Sequence, residues 1–167
     1  MSTMRIYVGT YAKYNSGNLN GAWMDLSTWD DAEDFHSACL MLHSDESDPE
    51  LMFQDWEGIP DGLVTESHVD PLVFELAEMD DEALHIFTVY RSDVDQNGTV
   101  EEAQEAFRGT YDTPADYAQE LVEETGGLEN VPDWLKSHID WEGVARDMGH
   151  DGTTFARVPS GVMVFVP

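Results

Sequence analysis

The segment Asp93-Val94-Asp95-Gln96-Asn97-Gly98-Thr99-Val100 sets oxygen ligands at alternate places, then a glycine and an apolar residue. The first eight positions of a calcium-binding EF-hand loop have that form. The twelfth position should carry a bidentate acid, but it is Gln104, and Glu105 comes one residue late. The same residues suit a connection that caps the next helix, because Asp, Asn and Gly favour turns. His36, Cys39 and His43 stand at i, i+3 and i+7, so a helix would set them near one face. A zinc site there needs a fourth ligand and a thiolate, whereas Cys39 falls on an apolar stripe where a buried structural thiol is ordinary. His68, His85, His138 and His150 show no ligand spacing. Gly126-Gly127 follows a helix where a phosphate loop should precede one. No Ser/His/Asp order stands out, and general acid–base pairs need a cleft and shifted pKa values that no sequence displays. The expectation is no catalytic residue, no metal and no cofactor.

The carboxylates carry information only together. Of 35 Asp and Glu residues, 19 lie between Tyr14 and Tyr90, a stretch without lysine or arginine, and the formal net charge is −28 over 167 residues. Like charges at that density repel and destabilise a compact chain. Duplex DNA carries one negative charge per roughly 1.7 Å, so this excess matches the charge on roughly 48 Å of duplex. Such a chain would be repelled by nucleic acid and by anionic lipid. Its natural partner is a protein groove built for a polyanion.

At 41% hydrophobic and 11% aromatic, the composition supports a folded core and excludes a disordered acidic tail. One cysteine allows no internal disulfide, which fits a reducing compartment. The opening apolar run Ile6-Tyr7-Val8 is too short for a signal peptide. No stretch nears the roughly 18 apolar residues of a membrane span. A soluble, cytoplasmic protein is expected.

The elements that must position these charges follow from periodicity and caps. Residues 5–11 and 22–26 read as strands around the turn cluster Asn15-Ser16-Gly17-Asn18. Ser27-Thr28 offers an N-cap for a helix over about 30–43, with Ala32, Phe35, Ala38, Cys39 and Leu42 inward and Asp31, Glu33 and Asp34 opposite. Residues 51–56 read as a strand. Asp70-Pro71 opens a helix to about 79, Asp80 or Asp81 caps another to about 91, and Thr99-Val100-Glu101-Glu102 reads as a capping box. In that third helix Val100, Ala103 and Phe107 should point inward. Further on come a strand over 108–111, a helix from Thr113-Pro114 to Gly126-Gly127, short helices at 132 and over 140–148, and a closing hairpin around Pro159-Ser160-Gly161. The expected fold class is α+β, an elongated chain of three small domains with an acidic surface: 1–61 α+β, 62–106 mainly helical, and 107–167 α+β.

Three stretches then resemble one family. Leu121-Val122-Glu123-Glu124-Thr125-Gly126, Val131-Pro132-Asp133-Trp134-Leu135 and Ile139 through Met148 are similar to the antirestriction motif of the ArdA family. The opening, Ile6 to Tyr11 with Lys13 to Gly17 and Gly21-Ala22-Trp23, agrees, and so does Asp48 to Gly58. The resemblance implies a homodimer that mimics B-form DNA, fills the DNA-binding cleft of type I restriction–modification enzymes at their methyltransferase core, and protects incoming mobile DNA. It implies no enzyme activity and no binding of nucleic acid or membrane. The partner-binding acidic surface is then expected from Asp31, Glu33, Asp34, Asp55, Glu57, Asp70, Glu75, Glu78, Asp80, Asp81, Glu82, Glu102, Glu105, Asp116 and Glu120. The dimer and motif residues implied are Glu123, Glu124, Thr125, Gly126, Val131, Pro132, Trp134, Leu135, Ile139, Asp140, Val144, Ala145, Arg146 and Asp147. Because basic residues are so few, Arg146 is expected to pair with an acid near the dimer contact, most simply Asp140 or Glu142. His138 and Trp141 depart from the tyrosines usual in the family. Two other classes compete on composition alone: a halophile-type acidic binding module and a calcium-binding EF-hand-like protein.

Overall fold

β-Formers concentrate at the start of the chain. There the structure, a computed structural model describing residues 3–167, forms strand β1 (Arg5–Thr10). It pairs antiparallel with β2 (Ala22–Asp25) on one side and β3 (Leu51–Glu57) on the other, in the order β2-β1-β3. Ile6 and Val8 point to the same face, as residues two apart on a strand must, and both are fully buried. The expected strand stops one residue early. Thr10 Oγ1 accepts the Lys13 N–H at 3.2 Å and turns Tyr11–Asn15 into helix α1.

Helix α2 (Ala32–Leu42) starts at Asp31, whose side chain accepts the Asp34 N–H at 2.9 Å. Ser27-Thr28 therefore caps nothing here and lies in a 3-10 turn, Leu26–Thr28. Phe35 and Cys39 are buried as the stripe requires, but Leu42 is exposed and His43 takes the buried place. Phe35 meets the rings of Trp29 at 5.6 Å, Phe53 at 6.4 Å and Phe74 at 5.6 Å. Because Phe74 belongs to helix α3 (Leu72–Ala77), this one side chain joins the sheet to two helices. Residues up to Leu84 form one compact unit.

The second compact unit runs from His85 to Pro167. Helix α4 (Asp81–Asp93) gives it Phe87 and Tyr90. It continues through α5 (Val100–Ala106), β4 (Phe107–Tyr111), α6 (Pro114–Glu124), α7 (Asp133–Lys136), α8 (Trp141–His150), β5 (Thr154–Val158) and β6 (Gly161–Phe165). The sheet order β4-β6-β5 makes the last strand central, and Val162, Met163, Val164 and Phe165 are all buried. Val162 and Val164 pack with Tyr117, Tyr111, Leu121, Met148 and Phe155. Phe165, on the opposite face, meets Tyr90 at 5.5 Å and Phe107 at 5.6 Å. Over the described residues the protein is a mixed α/β chain with eight α-helices and two small antiparallel sheets.

The calcium-like loop serves this packing. Asp95 Oδ1 accepts the Asn97 N–H at 2.9 Å, and Thr99 with Glu102 forms the expected capping box. Gly98 does not adopt positive φ. It is buried against the Tyr90 ring, where any Cβ would overlap Cε1. Gly98→Ala should thus force the ring pair Tyr90–Phe165 apart and cost about 1–3 kcal/mol, as overpacking does. Chemical denaturation checks this, and an unchanged midpoint would deny the close approach any importance.

Candidate functional site

Every carboxylate expected to form the partner surface, apart from the half-buried Asp70, is exposed. What holds these groups is informative. Asp31, Asp70, Asp80 and Asp140 each accept a backbone N–H at the start of a helix, from Asp34, Leu72, Ala83 and Gly143 at 2.8–3.0 Å. Asp116 accepts the Thr113 hydroxyl at 2.8 Å, and Glu120 accepts the phenol of Tyr111. That hydrogen bond, with burial added, pushes the Tyr111 phenol up to about 12, so it stays a neutral donor. Glu66 accepts in the same way from Tyr11, whose phenol is raised by burial first and by Glu66 second. These donors fix a carboxylate in direction without cancelling its charge.

Cations cancel few of them. Arg5 pairs with Glu57 at 2.7 Å while lying 4.6 Å from the Trp23 ring centroid, and Lys136 pairs with Asp133 at 3.0 Å. Among the described residues Arg91, Arg108, Arg146 and Arg157 form no ion pair. The expected pairing of Arg146 with Asp140 or Glu142 is therefore not made within the chain. Asp140 is instead committed to the Gly143 amide.

The motif residues form a helix-turn assembly. Helix α6 ends on Thr125, whose hydroxyl donates to the Leu121 carbonyl at 2.8 Å. Gly126 takes φ +76°, its N–H reaching Glu123 O at 3.3 Å, and the Gly127 N–H reaches Val122 O at 2.8 Å. Paired bonds of this kind across a left-handed residue close a helix C-terminus in the Schellman manner, which explains the glycine. Pro132 precedes α7, Asp140 caps α8, and Ala145 is buried. Val131, Ile139 and Val144 are half-buried, whereas Glu124, Arg146 and Asp147 are exposed. Trp134 is 70% exposed and Leu135 40%, an apolar pair open to solvent. A cleft of about 550 Å³ lies beside them in sequence, lined by Glu123, Glu124, Thr125, Gly126, Leu128, Glu129 and Lys136.

The histidine–cysteine trio does not assemble. His36 is exposed, while Cys39 is buried and its thiol is pushed by burial to about 12, far from a ligating thiolate. His43, only 1% exposed, has Nε2 3.1 Å from the Val8 carbonyl and Nδ1 2.7 Å from Lys13 Nζ. The same ammonium lies 2.9 Å from Asp45 Oδ1 and 3.5 Å from Glu46 Oε2. His43, Asp45 and Glu46 thus converge as three potential ligands, and the lysine fills the centre they surround. No pattern in the sequence flagged this contact, because Lys13 and His43 are 30 residues apart.

The Lys13 cluster has a defined pH window. The hydrogen bond from Lys13 holds the Asp45 carboxyl below its ordinary value, and the same bond raises the Lys13 pKa. A depressed carboxylate stabilises the fold above its unfolded pKa of about 3.9 and loses that effect as pH falls through the lower folded value. A raised lysine contributes below about 10.4 and loses its effect above. Lys13→Met should therefore melt lower than the native chain by a constant margin at neutral pH, with the margin closing below about pH 4 and above about pH 10. A margin that stayed constant in acid would show that this ion pair contributes no stability.

No helix among the described residues is long and apolar enough to cross a membrane. No curated protein matches the chain. The family model for antirestriction protein (ArdA) matches residues 6–163, which takes in most of each compact unit and all of the motif helices. The chain belongs to the ArdA antirestriction protein family.

Proposed function

We propose that this antirestriction protein acts as a mimic of B-form DNA, occupying the DNA-binding cleft of type I restriction–modification enzymes and so protecting incoming mobile DNA. The observation that carries this reading is the way its surface carboxylates are held. Backbone amides, threonine hydroxyls and tyrosine phenols orient them, whereas cations neutralise only a few. A groove lined by Lys and Arg to bind phosphates would meet fixed, uncancelled anions on this surface. The protein is cytoplasmic in this reading, is no enzyme, and binds neither nucleic acid nor membrane.

The partner of the third domain is a second copy. Trp134 and Leu135 offer exposed apolar area in a chain that otherwise repels itself. Arg146, exposed and without an ion pair in its own chain, supplies a cation for an acid across the contact. Two chains joined there extend the mimic beyond the length of one.

Three measurements test the proposal. Charge-to-amide changes at Asp70, Glu75, Glu78, Asp80, Asp81 and Glu82 should each weaken inhibition of a type I enzyme modestly, by about 0.2–1 kcal/mol, and cumulatively. One change that abolished inhibition while the rest were silent would replace the distributed surface with a hot spot. Affinity for the methyltransferase core should fall between low and above-physiological salt, less steeply than that of DNA. A salt-independent affinity would indicate an apolar interface. Arg146→Glu or Trp134→Glu should shift sedimentation toward monomer at low salt with the circular dichroism spectrum unchanged, and an unaltered dimer would place the contact elsewhere.

A further inference from the structure

Side chains of the first sheet alternate between two faces, and one face packs inward through Ile6, Val8 and Met24, all buried. The residues between them point outward and form two rows across the three strands, Trp23-Tyr7-Asp55 and Asp25-Arg5-Glu57. This outer face is open to solvent, with Trp23 37% exposed and Asp55 and Glu57 exposed. Its aromatic pair is already ordered. The Tyr7 and Trp23 rings meet edge to face at 5.5 Å, and the Tyr7 hydroxyl donates to the Leu19 carbonyl at 2.7 Å. Arg5 lies 4.6 Å from the Trp23 ring centroid while its Nε donates to Glu57 at 2.8 Å. Asp25 accepts from Ser27 and Asp55 from the Trp56 N–H, and neither has an ion pair among the described residues.

We propose that this outer sheet face is a docking site for an arginine-bearing basic segment of the restriction enzyme, with Trp23 as its aromatic anchor. The inference rests on the DNA-mimic reading for the identity of the partner, and adds a contact that phosphate charge alone does not supply. Charge selects the occupant, since three carboxylates against one guanidinium leave the face negative. Arg5 displays the required geometry within the chain: a guanidinium against an aromatic ring and held by a carboxylate. Tyr7 and Asp55, directly opposite each other, repeat that pairing of ring and carboxylate with no cation supplied. A planar guanidinium both stacks on rings and bonds carboxylates, so arginine fits the place better than lysine. Rigid aromatic side chains are also the commonest anchors of protein interfaces.

Radical oxidation footprinting of the native chain, alone and with the methyltransferase core of a type I enzyme that it inhibits, reads Trp23 directly. Trp23 should be oxidised less in the complex than in the chain alone. Trp23→Ala should weaken binding about tenfold and Trp23→Phe less, with circular dichroism unchanged. The alanine loss should persist in high salt, where the effect of Asp55→Asn fades by screening. If Trp23→Ala misfolds, protection in the native chain decides. Undiminished oxidation of Trp23 in a complex that still weakens with salt would overturn the proposal and leave the mimic reading intact. Protection that grows with the concentration of the chain alone would place a second copy on this face and overturn it as well. Protection in a complex indifferent to salt would uphold the docking face and remove the mimic reading.

Discussion

Repulsion among like charges is the constraint from which the rest of this structure follows. A formal charge of −28 on 167 residues opposes compaction at every step. The chain answers with hydrogen bonds more than with ion pairs. Helix starts receive aspartates, whose charge meets the positive end of the helix dipole. Tyrosines donate to Glu66 and Glu120, where a lysine would have neutralised them. Stability thereby accumulates without loss of negative charge.

The two cores reflect the same constraint. Strand β6 and its neighbours β4 and β5 carry no acid at all, and the carboxylates of that unit sit on helices and turns. In the other unit Phe35 gathers Trp29, Phe53 and Phe74 into one aromatic group beneath the acidic start of α2. Aromatic rings bury much area per residue. Few of them suffice to hold small units whose surfaces are reserved for charge.

Local signals made most of the helices legible. The capping box at Thr99 and Glu102 and the start at Thr113 before Pro114 form as read, because a cap is decided within four residues. The exposure of the acids was legible too, since unpaired carboxylates are almost never buried. Helix α1 was missed because its single signal, Thr10, sits at the end of a convincing strand. Gly98 read as a calcium-loop glycine, but its neighbour Tyr90 is set by the packing of Phe165, far along the chain. The Lys13–His43 contact and the phenol–carboxylate bonds share that origin. They depend on which strands and helices meet, and no spacing rule encodes them.

The enclosure of Lys13 has a practical side. The chain has two lysines, and the side chain of Lys13 is only 14% exposed, with its ammonium shared among His43, Asp45 and Glu46. Acylating reagents need a free, deprotonated amine, and this one is shielded and kept charged. Lys136, with 40% of its side chain exposed and a single fully open partner in Asp133, is the reactive lysine of the two. An amine-directed fluorophore or cross-linker would therefore mark the rim of the motif cleft selectively over Lys13, and the protein carries its own attachment point for watching that region at work.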